Sequence, residues 1–142
     1  MLTLQAAETI VNTALARARE MKLKPLAVVA LDARGALRVV KVEDGGSLKR
    51  AEIAIGKAHG ALALGMGSRA IHQRVEQQPY FIAAVSHVVG GNLIPVPGGV
   101  LVRDPAGTLV GAIGVSGDSS DNDETVAVAG IGAAGLTAET GA

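Results

Sequence analysis

The sequence contains no cysteine. Disulfides, thiolate catalysis, iron–sulfur clusters and cysteine-ligated zinc are therefore excluded. Aromatic residues are almost as scarce: there is no tryptophan, and the only tyrosine and phenylalanine, Tyr80 and Phe81, are adjacent. The core must be assembled from Ala, Val, Leu and Ile, whose smaller members let elements pack closely. Neither sign of charge dominates, with 13 Lys+Arg against 13 Asp+Glu. A neutral chain lacks the basic surplus that grips phosphate backbones, so no nucleic-acid partner is expected. No apolar run approaches the roughly 20 residues that span a bilayer, so no membrane partner is expected either. Met1 to Glu8 lacks a basic region followed by an apolar core; no signal peptide is read, and the cytoplasm is the expected compartment.

What is present suits a single domain over residues 1–142, since 49% of the chain is hydrophobic and its length buries a real core. Residues 3–22 carry Ala7, Ile10, Val11, Ala14, Leu15, Ala18 and Met21 at helical spacing behind Thr3, a plausible N-cap. Leu26–Leu31 and Leu37–Val42 read as strands joined by the turn Asp32-Ala-Arg-Gly35. Ser47 is expected to cap a long helix over about 48–65. Ser68 is expected to cap a shorter one that Pro79 stops. Residues 80–95 are ambiguous between a short strand and irregular backbone. Val100–Val102 and Thr108–Val115 form a second hairpin around Asp104-Pro-Ala-Gly107, and a final helix follows at about 121–135. The last seven residues read as frayed. Two ββα units of this kind suggest one antiparallel sheet flanked by helices, and their shared Asp-x-x-Gly-x-Leu turns raise an internal duplication.

Several places can carry chemistry. At Asp44-Gly45-Gly46-Ser47-Leu48-Lys49-Arg50 a helix begins with glycines and cations, and free N–H groups with the dipole favour an anion there. Lys57 lies seven residues after Arg50, nearly two turns, so both project from one stripe that a carboxylate could bridge. The alternative is a solvated basic edge. Asp118, Asp121, Asp123 and Glu124 crowd the start of the last helix. Their spacing suits capping and not a calcium loop, because the twelfth position from Asp118 is Ala129. No two of His59, His72 and His87 have helical metal-ligand spacing, so no metal site from neighbouring residues is read. His59 edges an apolar face of Ala51, Ile55, Ala58 and Leu62, and is either a packing residue or a single axial ligand to haem iron. Gly114-Val-Ser116-Gly117 lacks the nucleophile-elbow frame.

An ordered set of segments carries a resemblance. It runs through Pro25-Leu-Ala-Val-Val-Ala-Leu-Asp32, Asp44-Gly45, Lys57-Ala58, Pro79-Tyr-Phe81, Pro97-Gly-Gly99 and Gly111-Ala-Ile-Gly-Val-Ser-Gly117, ending in Asp121–Gly130. The chain resembles the GlcG/HbpS-like proteins, which include the C-terminal domain of PduO-type proteins, from Leu2 to about Leu136. The resemblance implies an α+β fold: a five-stranded antiparallel sheet with helices on both faces, somewhat profilin-like. The implied order is α-β-β-α-α-β-β-β-α, with residues 80–95 supplying the fifth strand. It also implies a homo-oligomer, from dimer to octamer, and haem as a possible cofactor.

Three functions follow. The first is a haem- or tetrapyrrole-binding accessory or sensing protein, with Arg50 and Lys57 for propionates and His59 as candidate iron ligand. The second is a small-carboxylic-acid enzyme of lyase or isomerase type. Lys57 and His59 would then be catalytic, with N–H donors from Gly98-Gly99 and Ser116-Gly117. The third is an oligomeric scaffold without chemistry. The candidate ligand-binding set is Arg50, Lys57, His59, Pro97, Gly98, Gly99, Ser116 and Gly117.

Overall fold

A computed structural model describes residues 1–142. Helix α1 (Leu4–Glu20) begins at Thr3, whose Oγ1 accepts from the Ala6 N–H. The first hairpin, β1 (Ala27–Asp32) and β2 (Leu37–Val42), leads to α2 (Arg50–Leu64). Two shorter helices follow, α3 (Ser68–Gln77) and α4 (Pro79–Val88), before the second hairpin of β3 (Gly99–Arg103) and β4 (Leu109–Ser116). Helix α5 (Ser120–Ala133) and a short strand, β5 (Thr137–Glu139), complete the chain. All strand pairs are antiparallel, in the order β2-β1-β4-β3-β5.

The sheet separates two cores. On one face α1 and α5 pack through Ile10, Val11, Ala14, Val126 and Ile131 against Val28, Val100, Ile113 and Val115. On the other, α2 lays Ala54, Ala58 and Ala61 against Ala27, Val29, Leu31, Leu101 and Ala112. The second core is thin because the helix sits almost on the strands. Gly99 and Gly114 pair across β3 and β4, directly beneath α2. A Cβ on Gly114 would collide with the Ala54 carbonyl, and one on Gly99 with that of Lys57. The glycines that weaken these strands as sequence are thus occupied by a helix backbone.

The expected fold class holds, with α1 and α5 on one face and α2 on the other. Three local expectations change. Residues 80–95 supply no strand: Pro79 takes the first turn of α4, where its missing N–H costs nothing, and the apolar run behind it turns helical. The fifth strand is β5, built from residues expected to fray. It pairs Leu101–Arg103, and Thr140 packs so closely on Gly67 that no side chain fits there. The order is therefore α-β-β-α-α-α-β-β-α-β. Neither Ser47 nor Ser68 caps its helix. Lys49 and Gly67 hold those positions without side-chain caps, and Ser68 turns inward instead. The two hairpins are also placed unequally: β4 is the central strand with β1 and β3 on either side of it, and β2 is left at an edge.

Candidate functional site

Most of the sequence-predicted residues meet where β4 ends beside α2. Seven residues apart on α2, Arg50 and Lys57 do share a stripe, but they have different surroundings. The Arg50 guanidinium donates from Nη1 to Ser116 Oγ at 3.2 Å. With Pro25, Gly45, Gly46, Ser47 and Gly117 it lines a cleft of about 180 Å³. Lys57 points inward and is only 3% exposed. Its Nζ donates to the Val115 carbonyl at 2.9 Å and to Asp123 Oδ2 at 3.1 Å. The other Asp123 oxygen accepts from the Asp118 N–H at 3.0 Å.

This pair joins α2 on one face of the sheet to α5 on the other, past the end of β4. Burial dominates its electrostatics. Desolvation pushes the Lys57 ammonium below the usual lysine range, although Asp123 pulls the other way. Desolvation likewise raises the Asp123 carboxyl, although Lys57 opposes it. Each ion therefore depends on the other remaining in place.

Gly98 and Gly99 close the same corner. Gly98 has φ +122°, and a Cβ there would sit 2.8 Å from Lys57 Nζ. The Gly99 N–H donates to the buried Ser68 Oγ at 2.7 Å, so it is already engaged. Pro97 faces a separate shallow depression shared with Arg69 and His72. His59 stands apart, since two residues beyond Lys57 on a helix is a turn of about 200°. Half-buried, its Nδ1 lies 2.8 Å from the Asn92 carbonyl. The structure thus brings Arg50, Lys57, Gly98, Gly99, Ser116 and Gly117 together, and separates His59 and Pro97 from them.

The acidic cluster divides its work. Ser119 is the N-cap of α5, accepting from the Asn122 N–H, while Asp121 and Glu124 hold Arg69 of α3. Asp118 accepts from Asn122 Nδ2 and from the Lys24 and Ser119 N–H groups, which lower its carboxyl to about 2. Asp123 and Ser68 are the polar residues that sequence reasoning missed. One signal was available: Asp123 precedes Val126 and Ala127 by three and four positions, so it sits in the stripe of α5 that faces the core. Lys57 sits in the same way between Ala54 and Ala61.

An open five-stranded antiparallel sheet with helices on both faces defines an α+β protein. The chain belongs to the HbpS-like family, described as haem degrading protein HbpS-like, which it matches over residues 2–132. Among solved structures it is similar to PduOC in complex with haem, at 25% identity and TM-score 0.84, covering 99% of each chain. It is similar to the Klebsiella pneumoniae protein ORFY at 23% identity and TM-score 0.82, over 94% of this chain and 90% of the other. A double mutant of Streptomyces reticuli HbpS gives 26% identity and TM-score 0.80, over 92% and 85%. No curated protein sequence matches the chain. No helix is long and apolar enough to cross a membrane.

Proposed function

We propose that this protein binds haem or a related tetrapyrrole, in a cytoplasmic accessory or sensing role, as a homo-oligomer of one domain per chain. The observation that carries this reading is its likeness, at 25% identity over 99% of both chains, to a protein solved with haem bound. Membership of a family described as haem degrading supports the same ligand class.

Histidine is the donor type in this chain that fits an iron porphyrin. Axial ligation needs an imidazole nitrogen with a free lone pair. His72 has both nitrogens engaged, Nδ1 at 3.2 Å from the Pro95 carbonyl and Nε2 at 3.0 Å from Glu76. His59 has only Nδ1 engaged, and His87, exposed in the last turn of α4, has neither; of these two, His59 is the one oriented by a hydrogen bond and set beside apolar side chains. The Arg50 cleft does not fit the macrocycle: its 180 Å³ falls below the roughly 300–1,000 Å³ of pockets for drug-sized ligands. That volume favours a second reading for the cleft alone, a small carboxylate held by Arg50. The enzymatic version of that reading loses support, because Lys57 is tied to Asp123, Gly99 N–H is tied to Ser68, and His59 lies around the helix.

The test is a visible-spectrum titration of the purified protein with haem, with size-exclusion chromatography alongside. A saturable Soret shift at fixed stoichiometry on a discrete oligomer is expected. No shift with either ferric or ferrous haem overturns the proposal.

A further inference from the structure

We infer that the tetrapyrrole lies against the α2-facing side of edge strand β2, with His59 Nε2 as the protein's ligand to its iron. This rests on the haem-binding reading above and names the seat for it.

The sheet register builds an apolar shelf. Val40 pairs with Val29, Val42 with Ala27, and Leu37 with Leu31, and all three β1 partners belong to the core beneath α2. Cross-strand partners point to one face, so Leu37, Val40 and Val42 point there too. Strict alternation would place Leu37 with Val39 and Lys41. An irregularity in the register between Ala30 and Leu31 moves it to the Val40 side. The opposite face is accounted for, since Val39 enters the α1 core and Lys41 Nζ bonds Asn12 of α1.

Nothing covers the shelf. Helix α2 is held over β3 and β4 by Gly99 and Gly114, so it cannot shift outward to roof β2. Leu37, Val40 and Val42 therefore stay 54%, 37% and 53% exposed. On the same face of the sheet, Ala51, Ile55 and Leu62 form a flank of α2 that is only partly buried.

His59 stands on this flank. A carbonyl oxygen only accepts, so the bond to Asn92 fixes the proton on Nδ1 and leaves the lone pair of the neutral ring on Nε2. Metal-binding histidines are oriented by a second-shell bond of this kind. Nε2 has no partner, and no buried side-chain nitrogen in the molecule lacks one, so Nε2 reaches solvent. The ring's Cδ2 edge, next to Nε2, lies beside Gly35 in the β1–β2 turn, two residues before Leu37. An apolar shelf with one oriented nitrogen lone pair beside it suits a flat hydrophobic macrocycle carrying a metal. A bare apolar interface with a second copy would have no use for the lone pair.

The test compares haem titrations of the wild type, His59→Ala and Val42→Asp, with size-exclusion chromatography of each. His59→Ala should lose the wild-type Soret position and weaken binding by about tenfold or more, with added imidazole restoring the spectrum. Val42→Asp, at an exposed site, should weaken binding roughly fivefold to tenfold with the Soret position kept. If the wild type binds haem and His59→Ala binds it with unchanged spectrum and affinity, the seat is elsewhere while the haem reading stands. A Val42→Asp variant that changes oligomer mass but not haem binding assigns the shelf to a second copy and overturns the inference. A wild type that binds no haem overturns both.

Discussion

Replacing Lys57 by methionine removes one charge from a pair that is 3% and 2% exposed. At 3.1 Å and an effective dielectric of about 20, the gross attraction within the pair is about 5 kcal/mol. Desolvating the two ions costs a comparable several kcal/mol each, so the intact pair contributes little net stability. The single variant is a different matter. It strands Asp123 in the interior with one remaining donor, the Asp118 N–H, and leaves the Val115 carbonyl without Nζ. Breaking one partner of such a pair costs about 3–5 kcal/mol. That is a large share of the roughly 5–15 kcal/mol that holds a domain folded, and corresponds to a Tm drop of roughly 10–20 °C. Asp123→Asn strands the Lys57 ammonium in the same way and should cost a comparable amount, eased only by the acceptors left to Nζ, the amide oxygen and the Val115 carbonyl. The double variant Lys57→Met/Asp123→Asn should then be markedly more stable than the sum of the two losses. Urea denaturation of all four proteins gives the coupling energy. Additive losses, or a Lys57→Met midpoint equal to that of the wild type, would refute the reasoning. Lys57 is therefore expected to act through the fold. A weakened anion affinity in a Lys57 variant would count for site chemistry only at matched stability.

Two further predictions follow from the same corner of the molecule and from the helix above it. The Asp118 carboxyl, held at about 2 by its three donors against an ordinary 3.8, binds its proton less readily folded than unfolded. Its contribution is thus present above about pH 4 and is lost as pH falls through about 2. In thermal melts across pH, Asp118→Asn should be less stable than the wild type at neutral pH, with the gap closing in acid; a gap independent of pH would overturn this. Gly114→Ala drives a methyl into the Ala54 carbonyl and should destabilise by about 1–3 kcal/mol or more, read by chemical denaturation. An unchanged midpoint would mean that α2 does not rest on β4 as described.

The elements were legible where local signals agreed. Thr3 has its cap, and Asp32-Ala-Arg-Gly35 and Asp104-Pro-Ala-Gly107 have their turns, so the sheet and its flanking helices could be read from the residues. What sequence hides is partnership at long range. Lys57 and Asp123 look like surface charges until α2 and α5 are seen to meet past the end of β4. The strand at residues 137–139 has three residues and no periodicity to speak of, and only the open edge of β3 makes it a strand. Residues 79–88 failed in the opposite direction: proline followed by apolar residues fits either state, and packing against α3 decided it. The ββα units were visible as sequence, but the order in which their strands join the sheet is a tertiary outcome.

That placement has a consequence for how the chain holds together. Helix α2 follows the first hairpin, yet its backbone rests on Gly99 and Gly114 of the second; α5 follows the second hairpin, yet packs on α1. Each half of the polypeptide thus carries the lid for a surface made by the other half. Divided at the Gly65–Gly67 linker, each fragment would keep a helix on its own strands but leave uncovered the surface that the other half's helix occupies. Mixed, the two pieces should find one another and restore the whole, so the intact chain behaves as an intramolecular heterodimer of two interlocked halves.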